Sequence, residues 1–97
     1  MVEHLVLLKF TEDATPEQID AFMAGAKGLQ GKIDGIVDLT VGPNFTDRSQ
    51  GHTHGVCVRF RDRAALEHYL PHPEHVDLVE NYIKPIADNI IVLDYEF

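Results

Sequence analysis

Histidine and tyrosine side chains carry the most distinctive chemistry in this chain, which has six histidines among 97 residues. The segment 69–75 begins with Tyr69 and ends with His75, and His4 and His54 lie in two apolar stretches elsewhere. A neutral imidazole can accept a proton near pH 7, and a phenol can donate a hydrogen bond to a carbonyl oxygen as charge develops there. The residue types therefore favour proton transfer next to a carbonyl, with His75 as base and Tyr69 as hydrogen-bond donor.

Alternating apolar residues predict β-strands over residues 2–10 and 52–60. Successive side chains of a strand point to opposite faces, so alternate residues form a row that faces the core. His4 lies at the end of this row in the first strand, and His54 lies at the end of it in the other. We expect both rows to face a layer of helices and to line a small apolar pocket that could hold a small-molecule ligand. The pocket residues predicted from the two strands are His4, Val6, Leu8 and His54.

Proline and capping residues mark two helix starts. Thr15, Pro16 and Gln18 form a capping box with proline at the first helical position, which predicts a helix to about Leu29. Pro73 starts a later helix and puts His75 in its first turn, where the helix dipole disfavours imidazolium. The apolar stripe of the first helix adds further predicted pocket residues, namely Phe22 and Met23.

The remaining elements complete a familiar order. Strands are predicted over residues 36–41 and 90–97, and Asp62 can cap a short helix that Pro71 ends. The resulting order βαββαβ predicts a ferredoxin-like α+β fold, a four-stranded antiparallel sheet with its helices on one face. We expect residues 1–97 to form a single domain.

The second face of such a sheet has no cover within the chain. Apolar patches of that kind are rarely left in water. A homodimer through the sheet face would bury about 800 Å² per partner, the usual size of a stable interface. The side chains expected on this face are Leu5, Leu7, Ile91, Leu93 and Tyr95.

Charge and composition argue against several kinds of partner. Sixteen acidic and eight basic residues give a net charge of −8, which disfavours nucleic acid and anionic lipid. The apolar run 5–8 is far too short for a signal peptide or a membrane span, so we expect a cytoplasmic protein. Cys57 is the single cysteine, which leaves no intrachain disulfide.

Two other interpretations of the histidines stay open at this point. Buried histidines and tyrosines commonly serve as hydrogen-bonded structural groups, which would make the protein a non-catalytic one. A metal site is the other alternative, but prolines interrupt the helical spacings and no carboxylate completes a recognised ligand pattern. The histidines concerned are His52, His54, His68, His72 and His75.

Three segments together resemble the stress-responsive dimeric A/B barrel (Dabb) family: the opening 4–10, the turn 42–46 and the segment 69–75, with the pattern Tyr-x-x-His-Pro-x-His. The resemblance spans nearly the full length and implies a ferredoxin-like protomer that dimerises into a barrel. The family includes stress-induced proteins without known catalysis and plant polyketide cyclases. Their histidine and tyrosine fall on His75 and Tyr69, with His4 lining the pocket.

The resemblance also carries departures and further implications. The first helix here has Gly25 and Ala26 where the cyclases have bulkier pocket residues, so the same polyketide substrate is not expected. No cofactor is expected, although some relatives hold magnesium on main-chain oxygens after the first helix. A further alternative is an antibiotic-biosynthesis-type monooxygenase, which shares the barrel. The cavities of those enzymes commonly use tryptophan or asparagine, whereas this chain has no tryptophan and its His-Pro-x-His segment fits the A/B barrel family better.

Overall fold

The computed structural model describes all residues from 1 to 97 and has four β-strands and three α-helices. A 3₁₀ turn, Leu29–Gly31, follows the first helix, and a π-helical turn, Val79–Ile83, follows the third. This order confirms the predicted ferredoxin-like arrangement. The elements are β1 (Val2–Phe10), α1 (Pro16–Gly28), β2 (Ile36–Pro43), β3 (His54–Phe60), α2 (Arg63–Tyr69), α3 (Pro73–Leu78) and β4 (Ala87–Glu96).

The four strands form one antiparallel sheet in the order β2-β3-β1-β4. Strand β1 is therefore central and pairs along its length with both β3 and β4. Its register sets His4 opposite Val58 on one side and Asp94 on the other. A one-residue slip would turn each of these side chains to the other face, so the register decides which groups can meet.

The capping box predicted for α1 is present. The Gln18 amide N–H donates to the Thr15 hydroxyl at 3.2 Å, and the Thr15 N–H donates to the Gln18 side-chain oxygen at 3.0 Å. Pro16 occupies the first helical position, where its missing N–H costs nothing. Two of the amide donors that a helix start leaves unpaired are thus satisfied locally.

The connection between α2 and α3 is a sharp break with its own cap. Asp62 caps α2 by accepting from the Ala65 N–H at 2.8 Å, and α2 ends just before Pro71. His72 then caps α3, because its Nδ1 accepts from the Glu74 N–H at 3.1 Å. The π-helical turn that continues α3 was not predicted from the apolar spacing.

The predicted start of β3 at His52 is wrong, since the strand begins at His54. His52 lies in the preceding loop, 7% exposed, with Nδ1 at 2.9 Å from the Ser49 carbonyl and Nε2 at 2.8 Å from the Asn89 side chain. These two contacts hold its ring outside the ladder. Strand β2 extends to Pro43, which an edge strand tolerates because one side of it has no neighbouring strand that would need an N–H donor.

The hydrophobic core lies between the sheet and the helices, where four large side chains are fully buried: Leu8, Phe22, Val58 and Phe60. The opposite sheet face is uncovered, as expected. On β4 its side chains Ile91, Leu93 and Tyr95 are 47%, 55% and 46% exposed. None of the helices is long and apolar enough to cross a membrane.

One ion pair interrupts the apolar character of the sheet. Arg59 donates two hydrogen bonds to the Glu3 carboxylate, at 3.0 and 3.1 Å, and its guanidinium lies 5.2 Å from the centre of the Phe97 ring. The paired Arg59 holds the pKa of Glu3 below its usual range. The two-point geometry links β1 to β3 in a fixed register.

Candidate functional site

A cavity of about 360 Å³ lies between the sheet and the helices. Four of its lining side chains can form hydrogen bonds, namely His4, Tyr69, His75 and Asp94, and the others are apolar. The apolar walls from the helical side are Phe22, Ala26, Leu29, Leu78, Val79 and Ile83. Apolar walls with a few polar groups are typical of small-molecule sites.

Tyr69, the last residue of α2, forms the centre of the polar end. Its ring is 3% exposed and lies 4.2 Å from the His75 ring and 4.9 Å from the Phe60 ring, measured between centroids. Its hydroxyl forms no hydrogen bond with another protein group, and Tyr69 lines the cavity. Burial raises the pKa of Tyr69 to about 12, so the hydroxyl stays protonated and can donate to a ligand.

His75 is held in one orientation by the chain break before it. Pro71 and Pro73 interrupt helical pairing, and the Leu70 carbonyl accepts instead from His75 Nδ1 at 2.9 Å. A carbonyl can only accept, so Nδ1 carries the proton and Nε2 of the neutral ring is an acceptor without a protein partner. This bond sets the tautomer of the base predicted from sequence.

The environment of His75 favours its neutral form. Burial is the main cause that lowers the pKa of His75 below its ordinary value. The bond to the Leu70 carbonyl acts in the opposite direction, and the nearby His4 and His72 lower the pKa further. The neutral ring expected from the helix dipole is thus favoured chiefly by loss of water.

His4 reaches the same cavity from the central strand β1. It is 5% exposed, its ring lies 5.9 Å from that of Tyr69, and its Nδ1 is hydrogen-bonded to the carboxylate of Asp94. This is the one hydrogen bond of the His4 ring within the protein, so Nε2 is free to accept from a ligand in the cavity. The site thus brings together side chains from β1, α2, α3 and β4, which are far apart in sequence.

Six of the eight residues predicted for the pocket line this cavity: His4, Val6, Leu8, Phe22, Tyr69 and His75. Met23 does not, because it packs against the core from the neighbouring position on α1. His54 does not either, since it begins β3 at the far end of the sheet, with its ring 5.1 Å from Phe10 and Nδ1 bonded to the Thr53 hydroxyl. The roles of all eight remain predictions.

Asp94 is the polar lining residue that sequence reasoning missed. Alternation with Ile90 and Val92 along β4 already places it on the face that looks towards the helices. The sequence does not give the register that sets Asp94 beside His4. Without that register, Asp94 resembles any other surface carboxylate.

The structure has no cluster of side chains suited to binding a metal ion. No three side chains of His, Cys, Asp or Glu type lie together in positions that could hold an ion. After α1, the Leu29 carbonyl already accepts the N–H groups of Lys32 and Ile33. Magnesium on main-chain oxygens therefore stays a prediction from the resemblance.

Comparison with known proteins places the chain among A/B barrel domains. The family model described as Stress responsive A/B Barrel Domain matches residues 2–97. Olivetolic acid cyclase of Cannabis sativa is 29% identical over 96 residues, which cover 97% of this chain and 94% of that protein. The chain spans 36% of a longer relative, a stress-response A/B barrel domain-containing protein of Arabidopsis thaliana, at 27% identity over 98% of this chain.

Solved structures show the same fold. A protein of Jannaschia sp., described as dimeric, ferredoxin-like and of unknown function, is 31% identical with a TM-score of 0.80, covering 99% of this chain and 98% of that one. The hydroxynitrile lyase of Passiflora edulis has a TM-score of 0.88 at 23% identity, covering 97% and 90% of the two chains. At this level of identity, the similarity to the hydroxynitrile lyase shows a shared fold only.

Proposed function

The chain belongs to the stress-responsive A/B barrel family, and from that premise we propose that its cavity catalyses a proton-transfer step, cyclase-like or lyase-like, on a small carbonyl compound. The observation that carries the proposal is the contact between Tyr69 and His75 in an apolar cavity, with the tyrosine hydroxyl and His75 Nε2 free of protein partners. A relative over nearly the whole chain is a cyclase, and a protein of the same fold is a hydroxynitrile lyase.

For a cyclase-like reaction the step is a proton abstraction next to the carbonyl. His75 Nε2 takes the proton from the α-carbon, and the electron pair of the broken C–H bond moves into an enolate. The Tyr69 hydroxyl donates to the enolate oxygen, where the negative charge develops. Return of the proton, or attack of the enolate on a second electrophilic carbon, completes an exchange or a ring closure.

Exchange of α-protons in D₂O tests this step without a known natural substrate. Acetophenone and 2-heptanone are suitable probes because their neutral, apolar bodies suit the cavity walls. Proton NMR should record exchange that the protein accelerates, and His75→Ala should lower that acceleration by about 100 to 10,000-fold, the usual value of general acid-base assistance. Mandelonitrile cleavage is the lyase-like arm: His75 takes the hydroxyl proton, the carbonyl of benzaldehyde forms as the C–C bond to the nitrile breaks, and cyanide leaves with the proton as HCN. Absorbance of benzaldehyde follows this reaction.

Two variants make the exchange experiment specific. Tyr69→Phe removes only a hydroxyl that forms no hydrogen bond with the protein, so exchange should fall while the melting temperature stays unchanged. His68→Ala is the matched control, because His68 is an exposed histidine that does not line the cavity. Equal exchange in wild type, His75→Ala and Tyr69→Phe, all folded, would remove the proposal.

A non-catalytic ligand-binding role is the second candidate, favoured by the mostly apolar lining and by relatives named only as stress-response proteins. The same samples separate the two functions. Saturable chemical-shift changes on adding acetophenone, without exchange of its α-protons, would favour binding alone.

We also propose that the protein is a homodimer through the uncovered sheet face. The exposed side chains Ile91, Leu93 and Tyr95 form an apolar surface that one chain leaves in water. The Jannaschia relative, 31% identical over nearly its full length, is described as dimeric. Two copies of this sheet packed face to face would cover the surface.

A further inference from the structure

The cavity has one formally charged side chain on its lining, the carboxylate of Asp94. Its side chain is 42% exposed at the edge strand β4, whereas the side chain of its partner His4 is 7% exposed. The antiparallel register sets the two residues directly opposite each other, and Oδ1 of Asp94 contacts Nδ1 of His4. The pair therefore links the edge strand to a buried group of the proposed site.

The contact dictates which nitrogen of His4 carries a proton. An ionised carboxylate is only an acceptor, so Nδ1 has to be the donor. In the neutral ring Nε2 is then an acceptor, and it is free to accept from a ligand because the ring's one hydrogen bond within the protein uses Nδ1. Edge-on contacts with Tyr69 at 5.9 Å and Phe60 at 6.2 Å keep the ring in place.

We infer that Asp94 is a positioning residue, which holds His4 as the Nδ1–H tautomer and so gives the cavity a second imidazole acceptor beside Nε2 of His75. This inference deepens the proposed function and rests on it for its purpose. His75 is held in the same way. The Leu70 carbonyl accepts from Nδ1 of His75, just as the Asp94 carboxylate accepts from Nδ1 of His4. A partner behind a functional imidazole commonly fixes its tautomer and orientation in this way.

The donor and acceptor pattern selects a class of ligand. Tyr69 offers one donor, and the two histidines offer two acceptors, which suits a neutral carbonyl compound that also carries a hydroxyl or enol group. No lysine or arginine lines the cavity, so a ligand carboxylate would be buried without a counter-charge and close to Asp94. Anionic ligands are therefore disfavoured at this end.

Long-range ¹H–¹⁵N NMR of the histidine rings at pH 8 tests the inference on the ligand-free protein. In wild type, His4 should show a protonated-type Nδ1 and an unprotonated-type Nε2, assigned by loss of the signals in His4→Gln. In Asp94→Leu, which removes the acceptor, the two types should exchange places and Nε2–H should predominate. The pattern of His75 should be unchanged in the same spectrum.

Asp88→Leu is the control variant, since Asp88 lies on the same strand with a 55% exposed side chain and pairs only with Lys9. It should leave the His4 pattern intact. The inference is overturned if wild-type His4 carries its proton on Nε2, if it is doubly protonated at pH 8, or if Asp94→Leu retains the Nδ1–H pattern. Should Asp94→Leu fail to fold, the wild-type spectrum and Asp94→Ala still decide the question.

The outcome is independent of the exchange assay, because no ligand is present. Absence of ketone exchange would remove the proposed function and leave the tautomer result as it stands. A failed tautomer prediction would remove the role of Asp94 even if exchange through His75 and Tyr69 were observed.

Discussion

Burial acts on Tyr69 and His75 in the same way but with opposite chemical results. Loss of water disfavours the charged form of each group, so the pKa of the phenol rises to about 12 and the pKa of the imidazole falls. One side chain is therefore kept as a donor and its neighbour as an acceptor at neutral pH. Acid-base catalysis needs such a pair of neighbouring groups, whose pKa values are shifted in opposite directions by their shared environment.

The lowered pKa of His75 predicts how stability varies with pH. The unfolded chain binds a proton on this histidine more readily than the folded one, so the free energy of unfolding should fall as pH drops below about 6.5. The loss should level off below the folded-state pKa. Urea unfolding between pH 8 and pH 5 measures this slope.

The variant His75→Gln should flatten that pH slope in part. His54, whose pKa burial also lowers, would supply the remainder. His68→Gln, an exposed position, should leave the slope as in wild type. A His75→Gln slope equal to that of wild type would contradict the assigned environment.

Among the elements, the break between α2 and α3 does most to create the site. Pro71 and Pro73 end one helix and begin the next within four residues, and His72 caps the second. The break releases the Leu70 carbonyl, which then orients His75. A continuous helix would bind that carbonyl internally and leave the imidazole free to rotate.

The long loop between β2 and β3 is tied to β4 by His52. Both ring nitrogens of this buried side chain have partners, at the Ser49 carbonyl and the Asn89 side chain. His52→Ala should therefore lower the free energy of unfolding by about 1–3 kcal/mol, because it removes two hydrogen bonds of a buried side chain, each worth about 0.5–1.5 kcal/mol. Denaturant titration followed by circular dichroism is the measurement.

The comparison variant is His68→Ala, an exposed histidine that should cost less than about 0.5 kcal/mol. An equal, small effect of both substitutions would show that the loop anchor contributes nothing. Since His52 does not line the cavity, exchange measured on the folded His52→Ala protein should be unaffected.

At the scale of the whole molecule, the apolar sheet face opposite the helices is exposed to water and needs a partner to bury it. Leu93 is 55% exposed on the edge strand β4 and lies opposite Leu5 of the central strand. Leu93→Asp should convert the proposed dimer to monomer, because a desolvated carboxylate without a partner is costly in an apolar interface. Light scattering coupled to size exclusion gives the mass directly.

Val76→Asp is the matched control, since Val76 is a 42% exposed apolar residue on the helix layer. It should remain dimeric. A wild-type protein with the mass of one chain would refute the dimer, and a dimeric Leu93→Asp protein would locate the interface elsewhere.

The sequence by itself determined the fold class and most of the element positions. Local rules suffice for these, because Thr15, Pro16 and Pro73 act on the residues next to them and alternation along β1 assigns its two faces. The same rules identified Tyr69, His75 and His4 as candidates. The family resemblance and the fold were both confirmed.

Only the tertiary structure decided which polar groups meet. The pairing of His4 with Asp94 depends on the register of strands 90 residues apart, and the separation of His54 from the cavity depends on where β3 begins. The exit of His52 from the ladder depends on Asn89, which arrives from another strand. These contacts join residues that are far apart in sequence, so neither composition nor the spacing of residues along the chain predicts them.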